Sequence, residues 1–420
     1  MSRDRALVIG AGLGGLSAAL VLAARGVSVE VFEADDAPGG KAGRVTVDGV
    51  TFDTGPSLFT LPEVLEKVLA IGGVAMRDVV TLRQASPAFR YRFPDGVVLD
   101  LFERVDETRA SVQRTLGTDA ATELDDFLSY ARRIWDAAAP HFVYGDAPSF
   151  RSLLGRGLGG LLRLPAIDAM TPMVRAIRSR VRDPHLRTML MRFATYNGSD
   201  VRRAPGTLNC IAHIELALGG YGLEGGMGTL VDVLVAQCQR LGVSLRLGTP
   251  VETIEVSRGR VRGLTTAEGR FHEAKAVICN ADPALCFNRL LPPAYRPRKR
   301  QEPSMSAYNA VIRARPNPGK PRVSHEVLFP SDYINEFSDL FDQKMTPRNP
   351  AIYCCDQTIT HGIQGWSDGT PLFVMVNAPP VSTENGAVQG AFDFEDGVRT
   401  RLVKAGLIAA DDPVVWRRSP

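Results

Sequence analysis

Three glycines near the start of the chain and one acidic residue further on have the spacing of a dinucleotide-binding site. Gly10, Gly12 and Gly15 form the pattern G-x-G-x-x-G, and Glu33 follows about 20 residues later. The first glycine permits a tight turn, the second lets the backbone approach a pyrophosphate, and the third lets a helix pack closely on a strand. The helix N-terminus offers N–H donors to the phosphates, and the acid accepts from the ribose hydroxyls, which favours a free 2′-hydroxyl.

These residues need a strand, a turn and a helix to position them, and the flanking sequence predicts all three. Leu7–Ile9 is expected to be a strand buried on both faces, the helix to run to about Arg25, and Val27–Phe32 to form the next buried strand. The uncharged run 6–24 resembles a signal peptide or a spanning helix. Because four glycines within six positions would interrupt such a helix, the strand-turn-helix interpretation is favoured.

The segment after Glu33 favours FAD over NAD. A glycine pair is followed by two cations, Lys41 and Arg44, and a second tight loop contains Gly55 and Pro56. Cations at this place can lie against phosphate or against the edge of a flavin. A nicotinamide enzyme does not need this extension, whereas a protein that binds extended FAD does.

These blocks resemble the FAD-dependent phytoene desaturase family, the bacterial carotenoid desaturases related to amine oxidases. The likeness is carried by VIGAGLGGLSAALVLAARG, VEVFEADDAPGGKAGRV and FDTGPSLFT, and it continues through MRFATYNGSD, APGTLNC, GGYGLEGGMGTL, VICNADP and LFVMVNAP. It covers nearly the whole chain. It implies an α/β fold with a Rossmann-like FAD-binding domain, a mixed-sheet substrate domain and a helical, membrane-facing insertion.

The motif and the resemblance together identify the residues expected to bind FAD. By resemblance, the backbone of Val251 hydrogen-bonds the adenine, and the loop Asn280–Asp282 runs beside the cofactor. The full predicted set is Gly10, Gly12, Leu13, Gly14, Gly15, Glu33, Ala34, Gly40, Lys41, Arg44, Gly55, Pro56, Val251, Asn280 and Asp282.

The expected domains are discontinuous in sequence. We assign residues 1–75 and 222–290 to the FAD-binding domain, 76–135 and 291–420 to the substrate domain, and 136–221 to the insertion. In the second FAD-binding segment, apolar residues at helical spacing predict a helix from about residue 230 to 241, followed by strands.

The insertion carries a local positive charge. Eight arginines and two aspartates lie between Arg151 and Arg187, interleaved with leucines. This pattern fits a helix at an anionic lipid surface, and it fits an ordinary amphipathic helix packed on the domain equally well. The resemblance to carotenoid desaturases implies a C40 polyene as substrate, which is almost pure hydrocarbon. We therefore expect the protein to take its substrate from the bilayer, attached peripherally to the cytoplasmic face of the inner membrane.

Composition excludes several other classes of protein. The chain is 45% hydrophobic and 23% charged, as expected for a globular protein, and 49 basic against 46 acidic residues leave a net charge of +3. Such a balance argues against a nucleic-acid partner. The six cysteines and six histidines lack metal-ligand spacing, so we expect no metal site and reduced, mostly buried cysteines.

The resemblance implies an oxidoreductase that desaturates a carotenoid, such as phytoene or a hydroxycarotenoid. Its electron acceptor is either a quinone or oxygen, and the sequence does not decide between them. A carotenoid isomerase or saturase on the same fold is the nearest alternative, and a truncated, non-catalytic protein that binds FAD or carotenoid is the other. No catalytic base is predicted, because each candidate is equally a turn or cap residue. These candidates are Asp53, Asp146, Asp200 and Asp282.

The end of the chain departs from the family pattern. The resemblance implies a glycine-rich C-terminal segment that closes over the flavin, and no such segment occurs before Pro420. We therefore expect a fragment or a truncated gene product, shorter than its relatives by several tens of residues.

Overall fold

The computed structural model of this protein describes residues 5–145, 167–296, 303–381 and 397–418. The chain forms two compact units. Unit 1 comprises Met1–Arg83, Gly222–Glu302 and His361–Ile363, and unit 2 comprises Gln84–Tyr221, Pro303–Thr360 and Gln364–Pro420. The predicted three-part division of the chain stays a prediction.

The strands of the described residues are β1 Arg5–Ile9, β2 Ser28–Phe32, β3 Arg44–Val47, β4 Val50–Asp53, β5 Leu82–Arg83, β6 Phe89–Arg92, β7 Val98–Leu101, β8 Gly222–Leu223, β9 Ser244–Arg246, β10 Val251–Ser257, β11 Arg260–Thr266, β12 Phe271–Glu273, β13 Ala276–Cys279, β14 Ser306–Ala314, β15 His325–Leu328, β16 Ile352–Asp356, β17 Thr370–Ala378 and β18 Val414–Arg418.

The α-helices are α1 Leu13–Ala24, α2 Pro62–Ile71, α3 Val105–Leu116, α4 Thr118–Phe142, α5 Met173–Arg178, α6 Pro184–Met191, α7 Cys210–His213, α8 Gly228–Arg240, α9 Pro283–Leu285, α10 Tyr333–Phe337, α11 Gln357–His361 and α12 Gly397–Ala405. A 3₁₀ segment, Arg192–Asn197, continues from α6, and a π-helical segment, Ile214–Leu218, continues from α7.

Unit 1 is built on a parallel sheet in the order β13-β1-β2-β9. Leu7 and Val8 on β1 are fully buried, because both faces of the sheet are covered. Val8 lies in a cluster with α1 and α8, while Leu7 lies in a cluster with the antiparallel β10–β11–β12 sheet. The predicted run of strand, turn and helix at residues 6–24 is confirmed, and so is the Rossmann-like fold.

Unit 2 contains a seven-stranded sheet in the order β18-β14-β17-β16-β15-β6-β7. Only the β15–β6 pair is parallel among the pairings described for this sheet, so the sheet is mixed, as predicted. One face buries β14, β16 and β17 side chains against α12, where Val398 and Leu402 are fully buried.

The predicted insertion falls partly outside the described residues, which omit 146–166 and therefore Arg151, Arg156, Arg163 and Asp146. In the part that is described, α5 buries Met173, Ala176 and Ile177 inside unit 2 and leaves arginines on its outer side. Among the helices that the structure describes, none combines the length and the apolar character required to cross a bilayer.

Candidate cofactor site

The turn between β1 and α1 needs glycine at two of its three motif positions, Gly10 and Gly15, because of backbone conformation and close packing within the protein. Gly10 has φ +97°, a conformation that side chains other than glycine rarely adopt. A Cβ at Gly15 would overlap the carbonyl oxygen of Gly10, so helix and strand can pack this closely only with glycine there. At Gly12, a Cβ would come no nearer than 3.7 Å to any described residue other than its neighbours along the chain. Gly12 therefore leaves bare backbone where the motif places a ligand.

Helix α1 begins directly behind this bare backbone. Its N-cap is Gly12, which has no side chain to accept from the first turn, and no acidic residue lies in that turn. Asn280, which follows β13, contributes its Oδ1 as an acceptor for the Gly15 N–H at 2.9 Å. Asn280 lies so close that a Cβ on Gly14 would meet its Nδ2 at 2.6 Å. The helix start thus offers backbone donors and a positive dipole end beside one neutral amide.

Glu33 reaches the same turn from the end of β2. Its Oε2 accepts from the Ala11 N–H at 2.6 Å, and its Oε1 accepts from the Asp35 N–H at 3.1 Å. A carboxylate has about four lone-pair sites, so acceptor capacity remains on both oxygens. The Glu33 carbonyl accepts from the Thr249 N–H at 2.7 Å, which brings the start of β10, and with it Val251, to the same edge of the sheet.

The glycine pair after β2 lies against the turn. Gly39 donates its N–H to the Ala11 carbonyl at 2.9 Å and pairs with Gly12 in a short parallel bridge. The following Lys41 is exposed. Arg44 is held by Asp232 of α8, with Nη2 donating to Oδ1 at 2.5 Å, so its charge is already paired within the chain.

The second tight loop is packed on this segment. A Cβ on Gly55 would overlap the Lys41 carbonyl oxygen, and Thr54 donates both its N–H and its hydroxyl to the Gly43 carbonyl at 3.0 Å. Pro56 is exposed beside them. The loops at residues 10–12, 39–43 and 54–56 therefore form one continuous backbone surface in unit 1.

Asp53 holds a second glycine-rich turn in place. It is 3% exposed, and its two oxygens accept from the Met227 N–H at 2.5 Å and the Gly228 N–H at 3.1 Å, which caps α8. Burial raises the pKa of Asp53 to about 6, although both N–H donors and the Arg44 charge oppose the shift. Asp53 therefore has a clear structural role as a link between β4 and α8.

Two other candidate proton acceptors also have structural partners. Asp282 caps α9 by accepting from the Ala284 N–H at 2.8 Å, and it has no contact with the glycine turn among the hydrogen bonds described. Asp200 accepts from Arg202 at 2.8 Å in unit 2. Asp146 lies outside the described residues.

His361 and Arg83 lie in unit 1, and no sequence motif predicted a role for either residue. His361 is fully buried, and its Nδ1 accepts from the Leu223 N–H at 3.1 Å, 138 positions away. Burial lowers the pKa of His361 to about 4, so the ring is neutral and its proton lies on Nε2. Neither this Nε2 nor the Nε of Arg83 has a partner among the described residues.

All six cysteines are free. Cys238, Cys354 and Cys355 are buried and the other three are half-buried, so burial is less general than expected. Within the described ranges, no group of His, Cys, Asp and Glu is arranged to hold a metal ion.

The geometry of unit 1 fits FAD. The bare backbone at Gly12 and the N–H donors at the start of α1 suit a pyrophosphate. The spare acceptor capacity on Glu33 suits the ribose hydroxyls. The contacts above bring most of the predicted FAD-binding residues to this surface. Ala34 is exposed directly after Glu33, and Asp282 has no described hydrogen bond to the glycine turn. The contacts of all these residues with FAD stay predictions.

Comparison with known proteins agrees with this geometry. The family model of flavin containing amine oxidoreductases matches residues 13–318. Hydroxyneurosporene desaturase of Rubrivivax gelatinosus is 34% identical over 387 residues, which cover 89% of this chain and 72% of that protein. The 4,4'-diaponeurosporene oxygenase of Staphylococcus aureus is 30% identical over 407 residues, 96% of this chain and 81% of that protein.

Solved structures share the fold at low sequence identity. The PF1083 protein of Pyrococcus furiosus aligns with a TM-score of 0.63 at 16% identity, covering 99% of this chain and 87% of that one. A putrescine oxidase bound to putrescine aligns with a TM-score of 0.62 at 16% identity, covering 99% and 84%.

Proposed function

The chain belongs to the flavin containing amine oxidoreductase family. From its similarity to a hydroxyneurosporene desaturase we propose that it desaturates a carotenoid, such as phytoene or a hydroxycarotenoid, in carotenoid biosynthesis. It is an FAD-dependent oxidoreductase. A dinucleotide site specifies no substrate, so the carotenoid assignment depends on one observation: the similarity to hydroxyneurosporene desaturase extends over 89% of the chain and so includes unit 2.

Each part of the backbone surface has a role in holding FAD under this proposal. The N–H groups around Gly12, Leu13 and Gly14 bind the pyrophosphate, and Glu33 accepts from the ribose hydroxyls. Ala34 and Val251 lie on the adenine side, where the Val251 backbone binds the base. The other predicted contacts are Gly10, Gly15, Gly40, Lys41, Arg44, Gly55, Pro56, Asn280 and Asp282.

FAD supplies the hydride acceptor when it is bound. The chain aligns the polyene with it and excludes water, and both effects act through positioning. Desaturation also releases a proton. Asp53 and Asp282 each cap a helix, and Asp200 is paired with Arg202, so none of the three is assigned as its acceptor.

We also propose that the protein attaches peripherally to the cytoplasmic face of the inner membrane. At about 0.8 kcal/mol per buried CH₂, release of a C40 polyene into water is prohibitive, so uptake from the bilayer is required. The described end of the insertion supports this with exposed arginines, Arg175 and Arg178, on the outer side of α5. Such side chains attract anionic headgroups.

The proposal is tested with the FAD-loaded protein and anionic liposomes that contain either phytoene or a hydroxylated carotenoid. We expect the protein to sediment with the liposomes and the substrate absorbance to move to longer wavelength as conjugated double bonds are added, with either oxygen or a quinone supplied as acceptor. Unchanged spectra from a protein that has bound FAD would refute desaturation. A product of equal mass would instead indicate an isomerase, and a product with two more hydrogens a saturase.

A further inference from the structure

Two cysteines of unit 1 lie at the two ends of the loop that carries Asn280. Cys279 is the last residue of β13, directly before Asn280. Cys286 is the first residue of a π-helical segment, Cys286–Leu290, that continues from α9, and its N–H bonds the Asp282 carbonyl at 2.9 Å. Only six residues separate the two cysteines in sequence, so a short loop joins the elements that carry them.

Both cysteine side chains pack on one apolar cluster, the one that contains Leu7 of β1 and Leu290. Successive side chains of a strand point to opposite faces, and Ile278 packs on the cluster at the other side of the parallel sheet. Cys279 is thereby directed to the side on which Cys286 lies. Strand and π-helical segment thus each contribute a thiol to the same layer of the core.

The two thiols are in direct contact. The Cys286 thiol donates a hydrogen bond to the Cys279 sulfur, and burial together with this hydrogen bond raises the pKa of Cys286 to about 12. Cys286 therefore keeps its proton at neutral pH. Because the thiolate and not the thiol is the nucleophile, Cys279 is the member of the pair that can attack an oxidant.

The other four cysteines lack this combination of contact and access. Three of them are buried, namely Cys238, Cys354 and Cys355. Cys210 is half-buried, as Cys279 and Cys286 are, but no second thiol contacts it among the described residues. A small oxidant that reaches half-buried sulfur therefore meets one paired site in the described part of the chain.

We propose that Cys279 and Cys286 are a dithiol site that hydrogen peroxide oxidises to a reversible disulfide. The Cys279 thiolate attacks one peroxide oxygen and the O–O bond breaks, which leaves a sulfenic acid on Cys279 and a hydroxide that takes up a proton to become water. The Cys286 sulfur then attacks the sulfenic sulfur, the S–O bond breaks, and a second water leaves with the Cys286 proton. In total, two thiols lose two electrons and two protons, and one peroxide becomes two waters.

This inference goes beyond the proposed function and does not depend on it. Oxygen is one of the two electron acceptors considered above, and its two-electron reduction gives hydrogen peroxide. The S–S bond of a disulfide is about 2.05 Å long, so its formation draws the two elements together. The strand side is anchored, because the Asn280 N–H bonds the Ile9 carbonyl at 2.8 Å and its Oδ1 accepts from the Gly15 N–H at 2.9 Å. The segment Cys286–Leu290 is therefore the part that moves, and FAD at the glycine turn stays bound.

The test treats the FAD-loaded protein, without carotenoid, with a small molar excess of hydrogen peroxide. Free thiols are then alkylated in denaturant, and mass spectrometry follows the tryptic peptide 276–289, which contains both cysteines. Without peroxide, this peptide should carry two alkyl groups. After peroxide we expect it to carry none and to be two hydrogens lighter than the reduced peptide, and dithiothreitol should restore both alkylation sites. Two alkyl groups after peroxide, or a disulfide that includes Cys210, would overturn the inference.

Serine variants test the role of each thiol. In Cys286→Ser, dimedone should label the sulfenic acid on Cys279 at least about tenfold faster than it labels Cys286 in Cys279→Ser. Equal rates would overturn the assignment of Cys279 as the attacking thiol. Cys210→Ser is the matched control, because it removes an equally half-buried cysteine and should form the disulfide as the wild type does. Since no turnover enters these measurements, a protein that oxidises no carotenoid would refute the proposed function while this test still stands.

Discussion

Substitution of Asn280 separates the stability of the glycine turn from its affinity for FAD. Asn280→Asp keeps an acceptor for the Gly15 N–H, now charged, and we expect it to stabilise the FAD-free protein by about 0.3–1 kcal/mol through the dipole of α1. Asn280→Ala removes the acceptor and should destabilise the FAD-free protein by about 1 kcal/mol, the typical cost of a lost cap.

The order of the two variants should be reversed for FAD affinity: Asn280→Asp, the more stable variant, should bind FAD more weakly than Asn280→Ala. A pyrophosphate at the start of α1 would lie close to the aspartate, and two unit charges about 5 Å apart repel by about 3 kcal/mol at an effective dielectric constant of about 20. Binding then weakens by roughly a hundredfold, less at high salt. Asn280→Ala adds no charge and frees a donor, so its affinity should stay within about threefold of wild type.

Titration of the FAD-free variants by flavin fluorescence gives these affinities, and urea unfolding gives the stabilities. Adenosine, which carries no phosphate, is the control ligand, and all three proteins should bind it equally. If Asn280→Asp binds FAD as tightly as Asn280→Ala does, the pyrophosphate does not lie at this helix terminus and the assignment of the site is wrong.

Two further predictions concern acids of unit 1. Glu33→Ala should weaken FAD binding at least tenfold in the same titration, because hydrogen bonds to a charged acceptor are worth about 1.5–3 kcal/mol, whereas the exposed Glu273→Ala should not; equal affinities would remove Glu33 from the ribose. Asp53 has a folded-state pKa of about 6 against an ordinary 3.8, so the folded state binds its proton more tightly, and the free energy of unfolding should fall by about 2 kcal/mol as the pH rises from about 4 to 6. Asp53→Asn should lack this fall when urea midpoints are followed by circular dichroism, and a parallel pH profile in both proteins would contradict the assignment.

The local parts of the cofactor site were predictable from the sequence. The spacing of Gly10, Gly12 and Gly15 depends on a single turn, and the positions of β1, α1 and β2 follow from short apolar runs on either side of it. Glu33 was predicted at the end of β2, and the structure has it there with its carboxylate on the turn. These features depend on contacts within about 30 residues.

Distant pairings were not predictable in the same way. Asn280 reaches Gly15 across 265 positions, and Asp232 pairs with Arg44 across 188, so no local pattern identifies either partner. Asn280 was expected beside the cofactor, but its contact with the helix start was not foreseen.

The burial of Arg192 in unit 2 left even less trace in the sequence. A buried arginine has the same letter as a solvated one, and the burial of this charge depends on distant partners, Phe89 and Tyr91 of β6 and the carboxylate of Glu215.

The parallel sheet of unit 1 places β13 beside β1, although 266 residues separate the end of one from the start of the other. At a synthesis rate of about 5–20 residues per second, β1 leaves the ribosome roughly 13–53 s before its partner strand. Throughout that interval the nascent glycine turn lacks Asn280 and one flank of its sheet. The complete FAD site therefore forms only after most of the polypeptide has emerged, and until then the apolar side of β1 that faces β13 lacks its partner.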